Sequence, residues 1–225
     1  MARTDNLNNF LTDVADAIRQ KKGDSSKILA KDFDTEIANL SGGGEAPAYA
    51  PRSISFYGCL EKDMTNEIYG WDDSNLTKLE AMFYGCSNVT SLNLTHIDTS
   101  NVTNMADCFR DCVSLKTLDI KTWNMSLVTN VARMFRNCKL LENIDLSNST
   151  FERVTSWQYL FEGCMSLKTV NISAWDITKI TNVSSALSNV PTSCLFIVKD
   201  DACKTWFTSK FSSYTNVKTL AEYQD

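Results

Sequence analysis

The chain has 225 residues, of which 43% are hydrophobic and 22% are charged. This composition is that of a globular protein and excludes a wholly disordered chain. The net charge of −5 argues against nucleic acid or an anionic membrane as the main partner. No apolar run reaches the ~20 residues that span a bilayer, and a single histidine makes most acid–base and metal chemistry unfavourable.

Residues 1–40 carry the pattern of an anchoring segment. Apolar side chains recur there at helical spacing, which predicts an amphipathic helix that ends near Gly23. A second short helix is predicted between residues 28 and 40. Forty residues bury too little surface to fold alone, so we expect this segment to pack on another protein or on copies of itself. The anchoring stripe consists of Leu7, Phe10, Leu11, Val14 and Ile18.

Residues 41–52 form a linker whose first half is rich in glycine and whose second half contains two prolines. Glycine makes a linker flexible and proline stiffens it. The linker therefore separates residues 1–40 from everything that follows.

From residue 61 onward the sequence repeats every 26 residues. Cys86, Cys112, Cys138 and Cys164 end successive units, and the five units are 61–86, 87–112, 113–138, 139–164 and 165–190. Positions are counted from 1 to 26 within each unit. A period of 20–50 residues with one apolar phase in each unit indicates a solenoid, in which every unit packs only on its neighbours.

The periodicity within one unit predicts its elements. Positions 6 and 8 are apolar around a polar position 7, which is strand alternation. A polar corner follows, and then positions 19, 22, 23 and 26 are apolar at the spacing of a short helix or 3₁₀ segment. The predicted fold is an α/β repeat, a solenoid of five units with a parallel sheet, spanning residues 53–190 and opening with a strand at residues 53–57.

Residues 191–225 are predicted to close the solenoid as a C-terminal cap. The pattern indicates a strand, a helix whose N-cap is Asp200 or Asp201, and a last strand. A cap is needed because the last unit otherwise exposes its apolar end.

Two parts of the sequence resemble known families. The stretch IDTSNVTNMADCFRDCVSLKTLDI is similar to the BspA-type bacterial leucine-rich repeat, and the resemblance extends over roughly residues 61–190. It implies surface display and binding rather than catalysis. The pattern DVADAIR followed by KKGDSSKI resembles the N-terminal region of tailed-phage structural proteins. This second resemblance implies a virion component that docks through its N-terminus and displays a distal module.

A polar row on the predicted sheet is the candidate ligand or partner surface. Position 7 points away from the core, and indoles recur at position 11, just beyond the strand. Carboxylates and amides beside indoles are typical of sugar-binding surfaces. The alternative is an ordinary solvated row with the tryptophans packed into the core. The row consists of Glu67, Asn93, Asp119, Asp145 and Asn171, and the indoles are Trp71, Trp123 and Trp175.

Two further columns are interpreted as structural. The cysteine column ends each unit at an apolar position, which favours buried free thiols over metal ligands or disulfides. Cys108 and Cys112 lie four residues apart, but a zinc site needs about two more ligands and His96 is the only histidine. Threonine occupies position 17 in every unit, and we expect its hydroxyl to bond the backbone of the adjacent corner.

The sequence contains no motif of a hydrolase, a nucleotide-binding loop or a metalloprotease, and we expect no enzyme activity, cofactor or metal. The start lacks the apolar core of a secretory signal, which favours assembly in a bacterial cytoplasm. The expected function is that of a phage virion structural protein, such as a head fibre, tail fibre or baseplate component. Its expected partners are other virion proteins, copies of itself, and a host-surface protein or glycan. The alternative is a bacterial cell-surface or secreted adhesin.

Overall fold

The computed structural model describes residues 76–224, which comprise the end of the first unit, units two to five and the C-terminal tail. The predicted anchoring helices, the linker and the opening strand lie outside the described residues. Glu67 and Trp71 lie outside them as well.

Each of units two to five contributes one short parallel strand at positions 5 to 7. The middle residue of the strand faces the core because it is apolar, and its polar neighbours face outward, although β2 is only half-buried at its centre. The predicted strand alternation is therefore confirmed. The strands are β1 (Ser91–Asn93), β2 (Thr117–Asp119), β3 (Asn143–Asp145) and β4 (Thr169–Asn171).

The strands pair in parallel with an offset of 26 residues. Asn93 pairs with Asp119 in one sheet, and Asp145 pairs with Asn171 in a second one. The second sheet has four strands in the order β3-β4-β5-β6, whereas β1 and β2 form a sheet of their own. The 26-residue solenoid with its parallel strands is thus confirmed, although its strands form two sheets because β2 and β3 are not paired.

The tail closes the second sheet in the predicted order. Strand β5 (Leu195–Val198) continues the 26-residue register, because Val170 pairs with Phe196. Helix α1 (Asp201–Lys210) begins at the N-cap Asp200, whose carboxylate accepts the N–H of Cys203. Strand β6 (Val217–Thr219) and helix α2 (Leu220–Gln224) follow, and a one-turn 3₁₀ helix (Ile177–Lys179) precedes the tail.

The predicted helical segment at positions 19 to 26 is a series of turns instead. We call these segments the turn ladder: residues 79–86, 105–112, 131–138, 157–164 and 183–190. The four apolar positions are buried as expected, for example Met105, Cys108, Phe109 and Cys112. The backbone, however, is not helical there. The spacing of 19, 22, 23 and 26 fixed the inward-facing residues without fixing the backbone conformation.

The turn ladder is not helical because half of its N–H groups bond the next unit. Asp107 and Phe109 donate to the carbonyls of Ala132 and Met134, at 2.9 Å each, and the intervening Cys108 N–H closes a turn within its own unit. Such alternation requires left-handed residues, and positions 21 and 25 have positive φ in all five units. These residues are Ala81, Asp107, Arg133, Tyr159 and Ser185 at position 21, and Gly85, Asp111, Asn137, Gly163 and Asn189 at position 25.

An aromatic column holds the units together inside the solenoid. Phe83, Phe109, Phe135 and Phe161 stack with parallel rings at centroid separations of 5.4, 5.7 and 5.6 Å. All four are completely buried, and each such burial contributes about 1.5–3 kcal/mol. The column makes one continuous core of the units.

Unit four departs from its neighbours in the core. Ser149 stands where units three and five carry tryptophan, and its hydroxyl donates to the Trp123 carbonyl at 2.8 Å. The larger Phe151, two residues further on, contacts the Trp175 ring at a centroid distance of 3.9 Å. A small and a large side chain have therefore exchanged places, which keeps the interior filled.

Candidate interaction surfaces

The described part of the polar row lies on the outer face of the short strands. Asn93 and Asp145 are exposed, and Asp119 and Asn171 are half-buried. The row consists of two registered pairs, Asn93 with Asp119 and Asp145 with Asn171. It ends at Asn171, because the next strand carries the buried Ile197 at the equivalent place.

Each side chain of the row also ends its strand with a local turn. In all four strands, the Oδ1 atom accepts the backbone N–H of the residue two positions later, at 3.0–3.3 Å. Asp145, for example, accepts the N–H of Ser147. Asn and Asp are the residues that make this turn. One oxygen of each group is thus committed to the fold.

The tryptophans do not accompany the row at the surface. Trp123 and Trp175 are only 1% and 2% exposed, and the Trp123 indole N–H donates to the buried Leu94 carbonyl at 2.9 Å. The prediction that these two tryptophans belong to the ligand surface is therefore wrong, and the alternative, that they pack into the core, is correct. The physical reason is that position 11 turns inward at the corner, where a large apolar ring gains more from burial than from exposure.

The cysteine column is a line of buried thiols. The seven cysteines of the described residues are free and buried. The thiols of Cys112, Cys138 and Cys164 donate to the carbonyls of Phe83, Phe109 and Phe135 in the preceding unit, at 3.0–3.1 Å. Burial raises the pKa of Cys164 to about 12. These protonated thiols tie adjacent units together, as the structural interpretation predicted.

Cys194 extends this column into the C-terminal cap. Its thiol is buried, and burial raises its pKa to about 12, as it does for Cys164. The sequence did not reveal this member because it lies 30 residues after Cys164 instead of 26. Position 26 of unit five is the buried Val190, and Cys194 adds a buried thiol four residues later.

The threonine column also behaves as predicted, although it lies at the surface. The hydroxyls of Thr103, Thr129 and Thr181 donate to the carbonyl of the threonine one unit earlier at 3.1–3.3 Å. The residue at position 18 makes a second local turn. In unit two, for example, the Asn104 side-chain oxygen accepts the backbone N–H of Ala106 at 3.0 Å. These bonds define a second face, which we call the threonine face: positions 17 and 18 of each unit.

A cluster of charged and aromatic side chains lies on the turn ladder, and sequence reasoning missed it. Arg133 bonds both carboxylate oxygens of Asp107 at 2.8 Å, and Arg110 contacts the same carboxylate at 3.2 Å. Arg110 also lies over the Tyr84 ring, 5.0 Å from its centroid. A similar group joins Arg136 to Glu162 at 2.6 Å and to the Tyr159 ring at 5.3 Å.

This cluster is electrostatically balanced. Partial burial raises the pKa of Asp107, but hydrogen bonds from Arg133 and Arg110 outweigh that effect and leave the pKa below its ordinary value. The guanidinium groups are therefore held in place by carboxylates and rings. The sequence did carry a signal for this cluster at position 24, which is tyrosine in unit one and arginine in units two and three. These residues are Tyr84, Arg110 and Arg136.

Within residues 76–224, no group of three or more His, Cys, Asp or Glu side chains is placed to hold a metal ion. In the same part of the chain, no helix combines the length and the apolar character needed to cross a membrane.

One family model matches most of the chain. It is described as "Mycoplasma protein of unknown function, DUF285" and matches twice, over residues 53–175 and 116–219. Comparison with curated proteins and with solved structures gave no match. The family match and the repeat solenoid fit a BspA-like repeat protein. On the strength of these two overlapping matches, the chain belongs to the DUF285 family.

Proposed function

We propose that this protein is a non-enzymatic surface-contact component of a phage virion. Residues 1–40 dock on the particle, alone or as oligomers, and the solenoid is displayed for contact with a host-surface protein or glycan. Support for contact comes from the strand face. It presents one polar side chain per unit in two registered pairs, and such a row suits recognition of a repeating or extended partner.

The outward atoms of Asp119 and Asp145 are the ones proposed to meet the partner. Their Oδ1 atoms cap the strand ends by accepting the N–H groups of Lys121 and Ser147. The Oδ2 atom of Asp119 contacts the Lys121 ammonium at 3.3 Å, and the Asp145 side chain is exposed. An Asp→Asn change keeps the capping oxygen and removes the charge, so it separates binding from folding.

We expect the double variant Asp119→Asn and Asp145→Asn to bind host cells about tenfold or more weakly, because a hydrogen bond to a charged group contributes ~1.5–3 kcal/mol. Binding is measured with the labelled full-length protein, and the melting temperature is measured in parallel. The matched control is Thr150→Val, which changes an exposed residue away from the row. Unchanged binding by the double variant would remove the row from the proposal.

The anchoring role of residues 1–40 is tested separately. Phe10→Asp with Val14→Asp places two charges on the predicted apolar stripe, which is costly when that face is buried. The control, Asn9→Asp with Thr12→Asp, adds the same charges on the predicted polar side. We expect the first variant to be absent from purified particles and the control to be incorporated. Incorporation of both would refute the anchoring role.

A bacterial cell-surface adhesin is the second candidate, and the bacterial description of the matched family favours it. The two candidates differ in where the protein is found. A fixed copy number in purified virions supports the first, and antibody labelling of intact bacteria without phage supports the second.

A further inference from the structure

The hydrogen bonds between units are interrupted at one junction, between units three and four. On the strand face, the residue after each strand donates to the last residue of the next strand at 2.8–2.9 Å. Leu94 bonds Asp119 in this way, and Leu146 bonds Asn171. Among the described residues, the corresponding bond from Ile120 to Asp145 is absent, in agreement with the missing pairing of β2 and β3.

The threonine face is interrupted at the same junction. Bonds from position 17 back to the preceding unit join Thr129 to Thr103 and Thr181 to Thr155, at 2.9 Å each. Across residues 76–224, the equivalent bond from Thr155 to Thr129 does not occur. The parallel bridges at position 18 show the same gap, because Asn104 pairs with Asn130 and Ser156 pairs with Asn182, with no bridge between Asn130 and Ser156.

The turn ladder, by contrast, stays bonded at this junction except at its first position, where the described residues lack a bond from Val131 to Ser156 equivalent to that from Met105 to Asn130. Arg133, Phe135 and Asn137 donate to unit four at 2.7–3.0 Å. The Phe135 and Phe161 rings stack across it, and the Cys164 thiol donates to the Phe135 carbonyl at 3.0 Å. Backbone hydrogen bonds therefore join units three and four on one of the three faces and not on the other two. At the corner, the Ser149 hydroxyl adds one side-chain bond to the Trp123 carbonyl.

Unit four also carries a large core side chain on each side of its threonine face. Trp157 occupies position 19, where units three and five have Val131 and Val183. Phe151 occupies position 13, where unit three has Met125. The Phe151 and Trp157 rings contact the Trp175 ring of unit five at centroid distances of 3.9 and 6.0 Å. These large side chains therefore pack towards unit five, to which unit four is also bonded on the strand and threonine faces.

We propose that the junction between units three and four is a hinge whose axis is the turn ladder. Two bodies joined along one edge rotate about that edge, because motion there costs few hydrogen bonds. Opening separates Asp119 from Asp145 and changes the curvature of the polar row. The hinge is a property of the fold and does not depend on the partner proposed above.

Amide hydrogen exchange of the full-length protein, followed residue by residue by NMR, tests the hinge. The amides of Ile120 and Thr155 are compared with their bonded counterparts Leu94 and Thr129. We expect exchange about tenfold or more faster at the hinge pair. Ile120 is 2% exposed, so exchange there requires solvent to enter the junction. If the solenoid opened only by fraying from its ends, the amides of Ile120 and Thr155 would exchange more slowly than those of Leu94 and Thr129, because this junction lies inside the solenoid.

A second measurement tests whether the two halves of the solenoid move, because two amides without hydrogen bonds could exchange quickly in a rigid junction as well. In native-state exchange with increasing urea, a hinge divides the amides into two cooperative groups, with the boundary between Cys138 and Lys139. Equal exchange at the hinge amides and their counterparts would overturn the proposal. A single cooperative group that includes units three and four would overturn it as well.

Discussion

Gly163 is the residue at which the turn ladder is most sensitive to a side chain. Its φ is +76°, and a Cβ atom placed on it would lie 2.4 Å from Oδ1 of Asn137 in the neighbouring unit. We expect Gly163→Ala to destabilise the protein by about 1–3 kcal/mol, the range for a strained left-handed residue. Urea unfolding followed by circular dichroism measures the change.

The matched control is Ser185→Gly. Ser185 is exposed and has a φ of 51°, so glycine removes left-handed strain of ~1–2 kcal/mol and introduces an entropic cost of ~0.5–1 kcal/mol. This variant should be as stable as the parent or more stable. A loss of stability in Ser185→Gly equal to that in Gly163→Ala would contradict the left-handed ladder.

The buried thiols make stability depend on pH in the alkaline range. Burial raises the pKa of Cys164 from its ordinary value of 9.0 to about 12. Above pH 9 the unfolded thiol loses its proton while the folded one keeps it. This contribution is therefore complete below pH 9 and is lost as the pH rises towards 12. For each such thiol, the free energy of unfolding should fall by about 1.4 kcal/mol per pH unit in this interval.

Urea unfolding at a series of pH values between about 8 and 11 measures this slope. Cys164→Ala removes one of the titrating thiols and should reduce the slope above pH 9 without changing it below. An identical slope in the variant would show that this thiol is accessible to water in the folded protein.

At the scale of elements, helix α1 depends on its first hydrogen bond. The Asp200 carboxylate accepts the Cys203 N–H at 2.9 Å, and this bond lowers the pKa of Asp200. We expect Asp200→Ala to cost about 1 kcal/mol. The exposed Asp201, in the first turn, interacts only with the helix dipole, so Asp201→Ala should cost a few tenths of a kcal/mol. Thermal unfolding of both variants checks the order, and equal losses would contradict the N-cap.

For the whole molecule, we expect the solenoid to fold without residues 1–40. The core columns and the cap described here lie within residues 76–224, and the family match begins at residue 53. A chain that begins at residue 41 should remain soluble and unfold cooperatively, as judged by circular dichroism and size-exclusion chromatography. Aggregation of this shortened chain would place the N-terminal segment in the core and contradict the predicted boundary.

The sequence by itself determined the period, the strand register and the inward-facing columns. In a solenoid the neighbour of each residue is the residue one period away, so Asn93 meets Asp119 and Phe109 meets Phe135 as soon as the period is known. The cap was predictable for a similar reason, because an N-cap aspartate and strand alternation are local signals. Apolar periodicity thus determined which side chains are buried.

The tertiary structure alone decided how the backbone runs between these columns. A helix and the turn ladder bury the same four positions, and the choice depends on N–H groups that bond the next unit, as Phe109 bonds Met134. The burial of Trp123 and the interrupted pairing of β2 and β3 were decided in the same way. Both depend on how much room the adjacent unit leaves, and a repeat pattern specifies which residues are neighbours but not the space between them.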